Sequence, residues 1–423
     1  MFSSILQGLL GLVCFVALAV AMSEQRTKIP WKNLGIALGL QVVLALAMLK
    51  LPFLRAALSW MSQGVEVIKA ASDEGARFMF GYLAGGPTPY ELANPDANFV
   101  VAFQVLPLIL VVSALSSVLF HVGVLPRIIG LFSIALRKVF SLSGVLGFSA
   151  AASIFMGIIE SPLLVKPYLA KFSRSELFAL IVCGMSTVAG SVMVLYAQVV
   201  GTVVEDAMGH ILVASVISVP AALALAQTII PPDLDEEDES KASEDVFTFE
   251  RDTHTVVDAL LKGIQEGMNM VLQIAAVIIV LFACVYLVNA ILGLLPSWAD
   301  EPLSIQLLVG SMLRPLMWLV GIPWAETAVA AKLMATKTIL NEFVAYLGLA
   351  KLPEGTLSER SELIMTYAMC GFANLGSLGI LAGGMGALVP ERRTELVGLS
   401  AKALIAGTLA TLMTGTIIGI LHP

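Results

Sequence analysis

The sequence predicts an all-α polytopic membrane protein, with eight transmembrane helices and two opposed re-entrant hairpins arranged as an inverted repeat. Three observations carry that expectation. Of the 423 residues, 58% are hydrophobic and only 13% charged, against about 25% charged in an ordinary soluble domain. Water is therefore not the main solvent. A hydrocarbon layer of about 30 Å takes roughly 20 apolar residues per helix, and stretches of that length recur between the charged residues. The order of long and interrupted apolar segments is also the same in the two halves of the chain.

The spans read as Phe2 to Met22, Asn33 to Leu49, Phe99 to Leu119, Leu177 to Val200, Ile211 to Ile229, Gly267 to Leu292, Leu363 to Leu388 and Ala403 to Leu421. The first has the apolar character of a secretory signal but lacks the basic residues that precede one, so it is read as a membrane helix. After the second span, Leu54, Leu58, Met61, Val65 and Ile68 recur at helical spacing, while Arg55, Glu66, Lys69 and Asp73 take other faces. That is the pattern of a helix lying in the interface.

Lysine and arginine favour cytoplasmic loops, and they cluster at Arg26 to Lys32, Arg127 to Lys138, Lys166 to Arg174 and Arg392 to Lys402. Putting these clusters in the cytoplasm starts the chain outside and makes the stretch from Val139 to Tyr168 return to the side it entered from. The same count makes Pro302 to Tyr346 a second re-entrant element, entering from the opposite face. Four parts follow: N-terminal spans with the interfacial helix (1–98), a first repeat with hairpin 1 (99–230), an acidic cytoplasmic linker (231–262) and a second repeat with hairpin 2 (263–423). Repeats of this kind hold substrate near mid-membrane, where irregular backbone lines a cavity.

Composition excludes other classes. The net charge of −7 is concentrated largely in Asp233 to Asp245, a solvated linker, and no basic surface suggests nucleic-acid binding. The four cysteines, Cys14, Cys183, Cys284 and Cys370, fall in apolar spans without metal-ligand spacing and read as buried small hydrophobes. No metalloprotease His pair or nucleophile elbow is present, which argues against an intramembrane enzyme. A channel would need rings of charge or carbonyls along a pore; isolated acids on opposed hairpins fit an occluded carrier site better. No cofactor is expected.

Carboxylates are costly in hydrocarbon and mark functional positions. Glu160 lies in Gly157-Ile158-Ile159-Glu160-Ser161-Pro162 and Glu326 in Gly321-Ile322-Pro323-Trp324-Ala325-Glu326-Thr327, where Gly and Pro suit a hairpin tip. The plain alternative is that each glutamate holds a lysine such as Lys166 or Lys337. Glu342, after Asn341, is a third acidic candidate, equally suited to a ligand contact or to a hydrogen bond within the hairpin. The interrupted spans contribute Ser186-Thr187-Val188-Ala189-Gly190-Ser191 and Gly371-Phe372-Ala373-Asn374-Leu375-Gly376-Ser377. Close helix packing explains the small residues, but a central Asn374 needs partners of its own and is the stronger functional candidate.

These residues resemble the concentrative nucleoside transporter family. The resemblance is carried by Glu160-Ser161-Pro162-Leu163 with Pro167, Ser175-Glu176-Leu177-Phe178, Gly321-Ile322-Pro323-Trp324 with Glu326, Asn341-Glu342-Phe343-Val344-Ala345-Tyr346 and Cys370-Gly371-Phe372-Ala373-Asn374-Leu375. It runs from about Phe99 to the end of the chain. It implies a homotrimer in a bacterial inner membrane, in contact with lipid, carrying a nucleoside-like substrate with a coupling cation by elevator-like alternating access.

On this resemblance Glu326, Asn374 and Ser377 meet the ribose hydroxyls, while Ile158, Ile159, Glu160, Val192 and Phe372 complete the substrate site. Members of the family carry polar residues where Ile158 and Ile159 stand, so the resemblance transfers base preference poorly and leaves room for an unusual nucleoside or another ribosyl compound. Cation coupling is assigned to Ser153, Glu160, Thr187 and Val188. Sodium-coupled members place an asparagine where this chain has Ser153. Burial also disfavours the charged form of a carboxyl, which suits it to carrying a proton; H+ is therefore favoured over Na+.

Overall fold

The computed structural model describes residues 2–91, 99–140, 142–232, 253–296 and 302–422; the acidic tract Asp233 to Asp245 lies outside them. Among the described residues every regular element is helical. Helices α1 (Phe2–Ala21), α2 (Trp31–Lys50) and α3 (Pro52–Phe80) come first. α1 is built into the bundle, its Gln7 Nε2 donating to the carbonyls of Trp318 (2.5 Å) and Ile322 (3.2 Å). α3 realises the expected amphipathic pattern over a longer stretch, with Val65 and Ile68 packed on Leu108, Val112 and Val194.

The chain then runs twice through one order. The first pass is α4 (Pro107–His121), α5 (Val124–Phe140), α6 (Gly144–Ala152), a tip leading to Glu160, two short turns (Glu160–Leu163, Lys166–Leu169), α7 (Arg174–Ser186), α8 (Gly190–Val200) and α9 (Ala207–Ile229). The second is α10 (Val256–Leu292), α11 (Ile305–Val320), α12 (Thr327–Ile339), a tip at Leu340 and Asn341, α13 (Glu342–Ala350), α14 (Glu359–Met369), α15 (Leu375–Ile380) and α16 (Arg393–Leu421). A turn of π-helix, Leu381–Met385, continues α15.

Local chemistry sets the boundaries. α7 starts on a capping box: Ser173 Oγ accepts from Glu176 N (3.2 Å) and Glu176 Oε2 accepts from Ser173 N (3.0 Å), satisfying two end groups of the helix. α14 starts at Ser358, whose hydroxyl accepts from Ser361 N (3.4 Å). Both helices stop at the polar interruptions seen in the sequence, at 187–189 and 370–374. Freed backbone groups find partners at the breaks: Phe372 N donates across to Thr187 O at 3.2 Å, and Gly190 N donates to Phe155 O in the hairpin-1 tip at 2.8 Å. Among the described residues, seven helical segments are long and apolar enough to cross a membrane. The expected eighth, Leu363 to Leu388, is split by its break.

α10 packs chiefly along α4. A Cβ on Gly263 would fall 2.6 Å from Ser113 O, and one on Gly267 3.0 Å from Ser113 Cβ, so these glycines set the close approach of the two helices.

Three expectations change. The basic stretch Arg127 to Lys138 is no loop but the amphipathic helix α5, burying Ile129, Leu136 and Phe140; α11 holds the equivalent place in the second pass. The hairpin-2 tip is not at Gly321 to Thr327. Ile305–Val320 already forms a 16-residue helix, and Gly321, at φ 113°, turns the chain into α12, which leaves Leu340 and Asn341 as the tip. Of the cysteines only Cys183 and Cys370 are buried; Cys14 is half-buried and Cys284 exposed on α10.

Candidate functional site

A cavity of about 180 Å³ opens where the two tips meet the two breaks. Gly157, Ile158, Ile159 and Glu160 line it from hairpin 1, with Ala189, Val192 and Tyr196 from the first break and α8. The second pass supplies Asn341, Glu342 and Phe343, then Phe372, Asn374 and Ser377. Met270, Gln273, Ile274 and Val277 of α10 close the remaining side.

The polar end is a fixed network. Tyr196 Oη donates to Glu342 Oε1 at 2.5 Å and Asn374 Nδ2 to Glu342 Oε2 at 3.0 Å. Asn374 is also the N-cap of α15, its Oδ1 accepting from Ser377 N (2.8 Å) and Ser377 Oγ (3.2 Å). Asn341 caps α13 in the same way, accepting from Val344 N at 2.9 Å. Glu342 therefore starts a helix, as Glu160 does, and each glutamate sits just past its tip. Glu160 Oε2 accepts from Gly157 N at 2.8 Å, which folds the hairpin-1 tip around its carboxylate. Glu160 also borders a second, more polar cavity of about 360 Å³, whose walls include Ser113, Ser117, Ser191 and Glu266.

At the other end the wall is apolar. Ile159 fills the space above the π-turn: a Cβ on Gly384 would lie 2.1 Å from its Cδ1. Turns of π-helix recur at functional sites, and here the absence of a side chain at 384 seats the tip residue.

Of the residues singled out in the sequence, Ile158, Ile159, Glu160, Val192, Phe372, Asn374 and Ser377 all line this cavity. Glu326 does not. It lies in the α11–α12 turn, where Oε2 accepts from Ser358 N (3.2 Å) and Ser358 Oγ (3.1 Å), so its carboxylate pins that turn to the start of α14. The acid that meets Asn374 is Glu342, and the Asn cap followed at once by an acid was the signal available for it. Ser153, Thr187 and Val188 are fully buried behind the cavity wall. Ser153 Oγ donates to Ser149 O (3.1 Å) and shares a hydrogen bond with Ser161 Oγ (3.0 Å), while Thr187 Oγ1 donates to Cys183 O (2.9 Å). Neither proposed glutamate–lysine pair, Glu160 with Lys166 or Glu326 with Lys337, forms among the described residues. Neither Tyr196 nor the α10 face carried a signal in the sequence.

Helix breaks and tips converging on one cavity, in a chain with seven apolar helical spans among its described residues, define a multi-pass membrane transporter. Three family models match: "Na+ dependent nucleoside transporter N-terminus" over residues 10–83, "Nucleoside recognition" over 102–203 and "Na+ dependent nucleoside transporter C-terminus" over 210–419. Similar proteins include a putative nucleoside permease NupX of Escherichia coli, 34% identical with 98% of each chain covered. The nucleoside permease NupC of Helicobacter pylori is 33% identical, with 99% of this chain and 98% of that one covered. Among solved structures, CNTnw in an inward-facing substrate-bound state matches with TM-score 0.86 at 32% identity, covering 99% of this chain and 97% of that one. A variant of CNTnw in an outward-facing state matches with TM-score 0.88 at 32% identity, covering 100% and 98%. The chain belongs to the concentrative nucleoside transporter family.

Proposed function

We propose that the chain is a nucleoside:cation symporter of a bacterial inner membrane, acting as a homotrimer, with substrate held at mid-membrane between two opposed re-entrant tips and two broken helices. One observation carries this reading: Glu342, Asn374 and Ser377 converge on one end of a cavity whose other end is apolar. Vicinal hydroxyls of a ribose donate to a carboxylate and exchange hydrogen bonds with an amide, and a site built to pair with hydroxyls rejects analogues that lack them by orders of magnitude. Ile158, Ile159, Val192 and Phe372 offer a nucleobase apolar contact, which discriminates weakly. Sugar recognition therefore dominates and base preference is loose.

Alternating access is elevator-like. The packing of α10 chiefly along α4 supports this, since it leaves the hairpins and broken helices as a body able to slide past that pair. Glu160, which borders both cavities, carries the coupling proton. Sodium is the second reading, favoured by the family description and by Ser149 Oγ, which is buried without a hydrogen-bond partner one helical turn before Ser153.

Proteoliposomes test both. An inward pH gradient in sodium-free buffer drives uphill accumulation if Glu160 carries the proton; accumulation at symmetric pH that vanishes when choline replaces sodium overturns it. For the site, Glu342→Gln abolishes nucleoside binding while the folded protein is retained, and binding at the native level removes Glu342 from the site.

A further inference from the structure

Among the described residues three charged side chains are buried: Glu176, Lys337 and Glu342. Glu176 is a capping group, held by Ser143 Oγ (2.6 Å) and Ser173 N (3.0 Å). The other two have opposite sign and share a hairpin, Lys337 in the last turns of α12 and Glu342 at the first position of α13. Lys337 is fully buried and its Nζ has no hydrogen-bond partner. An ammonium removed from water costs several kcal/mol unless something compensates it. No hydrogen bond does so here, and the acid whose field acts on it is Glu342, itself buried on the other arm of the same hairpin.

We propose that Lys337 is the counter-charge that keeps Glu342 ionised in the apolar interior and so holds it ready to accept the hydroxyls of the substrate. The proposal rests on the reading of Glu342 as the sugar acceptor. Both Glu342 oxygens are already oriented by Tyr196 and Asn374, and Lys337 touches neither. A lysine standing off in this way leaves the carboxylate's remaining lone pairs to the substrate, where a direct ion pair would occupy them. Lys337 is therefore a positioning residue that acts through charge. The other titratable groups around Glu342 are Tyr196 of α8, Tyr346 of α13 and Cys370 after α14, none of which supplies a positive charge.

The test is equilibrium binding of radiolabelled uridine and adenosine to the purified full-length transporter across a pH series, so that proton-driven transport does not enter. In Lys337→Met the carboxyl takes up a proton under milder acidity. Affinity then falls as the pH is lowered through a range where the native protein is flat, by about tenfold or more at its acid end; Lys337→Arg restores the native profile. A Lys337→Met protein that binds with the native pH profile overturns the proposal, as does an Arg variant that shows the Met profile. If Lys337→Met does not fold, the double variant with Glu342→Gln decides. With the acid gone the ammonium is uncompensated, so adding Lys337→Met to Glu342→Gln raises the thermal midpoint, and a lowered midpoint overturns the pairing. Native-level binding by Glu342→Gln alone instead brings down the site reading beneath it.

Discussion

Replacing Asn374 with serine separates the two tasks of that side chain. Its Oδ1 caps α15 through Ser377 N at 2.8 Å, and its Nδ2 holds Glu342 Oε2 at 3.0 Å. Serine is as good an N-cap as asparagine, so the first contact survives and only the second is lost. Serine has no amide to reach the carboxylate, and a hydrogen bond to a charged group contributes about 1.5–3 kcal/mol. Stability falls by about that much, and nucleoside affinity drops by roughly ten- to 150-fold because, in the proposed reading, the same amide is the partner of a substrate hydroxyl. Asn374→Ala loses the cap as well, at a further cost to stability of about 1 kcal/mol. Thermal unfolding and equilibrium binding on the same preparations measure both quantities. Native affinity in a stable Asn374→Ser protein refutes the reasoning, because Asn374 would then serve α15 alone.

Three other outcomes are expected. Ile158→Gln combined with Ile159→Thr restores hydrogen-bonding groups to the apolar end and sharpens discrimination among nucleosides in competition uptake; an unchanged ranking in the folded variant places the tip away from the base. Gly384→Ala sets a methyl 2.1 Å from Ile159 Cδ1 and destabilises by about 1–3 kcal/mol, and Ile159→Ala relieves it; the two substitutions simply adding in thermal midpoint would show that they do not touch. At the charged end of the bundle, Arg174 first and Lys402 second hold the Glu24 carboxyl below its ordinary range, at contacts of 3.0 and 2.6 Å. A depressed carboxyl contributes stability above its unfolded value and loses it as the pH falls through the folded one. Glu24→Gln therefore lowers the thermal midpoint slightly at neutral pH, by no more than about 1 kcal/mol equivalent for so exposed a cluster, and the difference closes in acid. A gap that persists in acid assigns the effect to packing.

The polar interruptions and the apolar tip were legible because membrane interiors tolerate so few polar residues that each is a signal. Asn374, Ser377 and Glu160 could be read from the chain as polar interruptions, both isoleucines only through the family resemblance, and all line the cavity. Glu326 misled because Gly and Pro mark any turn, and the turn between α11 and α12 carries them as conspicuously as a tip would. The true tip has neither; Asn341 makes it by capping α13, and a cap shows only once the helix that follows is known. α5 was hidden for a related reason. Its Arg127, Arg137 and Lys138 look like a loop when counted for charge, and the apolar face of Ile129, Leu136 and Phe140 emerges only at helical spacing.

The wall of the cavity is divided by origin. Glu342, Asn374 and Ser377 all come from the second pass of the chain, whereas Ile158, Ile159 and Val192 come from the first. The passes are spliced at the breaks by the bond from Phe372 N to Thr187 O, which ties one half of the wall to the other. In the proposed reading, the grip on the sugar is encoded in the later stretch of the gene and the choice of base, Phe372 apart, in the earlier one. Mutation can then retune which base is accepted without disturbing the contacts that make the molecule a ribosyl carrier. A library confined to residues 153–192 should yield altered base preferences with ribose dependence intact, and one confined to residues 340–378 should mostly yield losses.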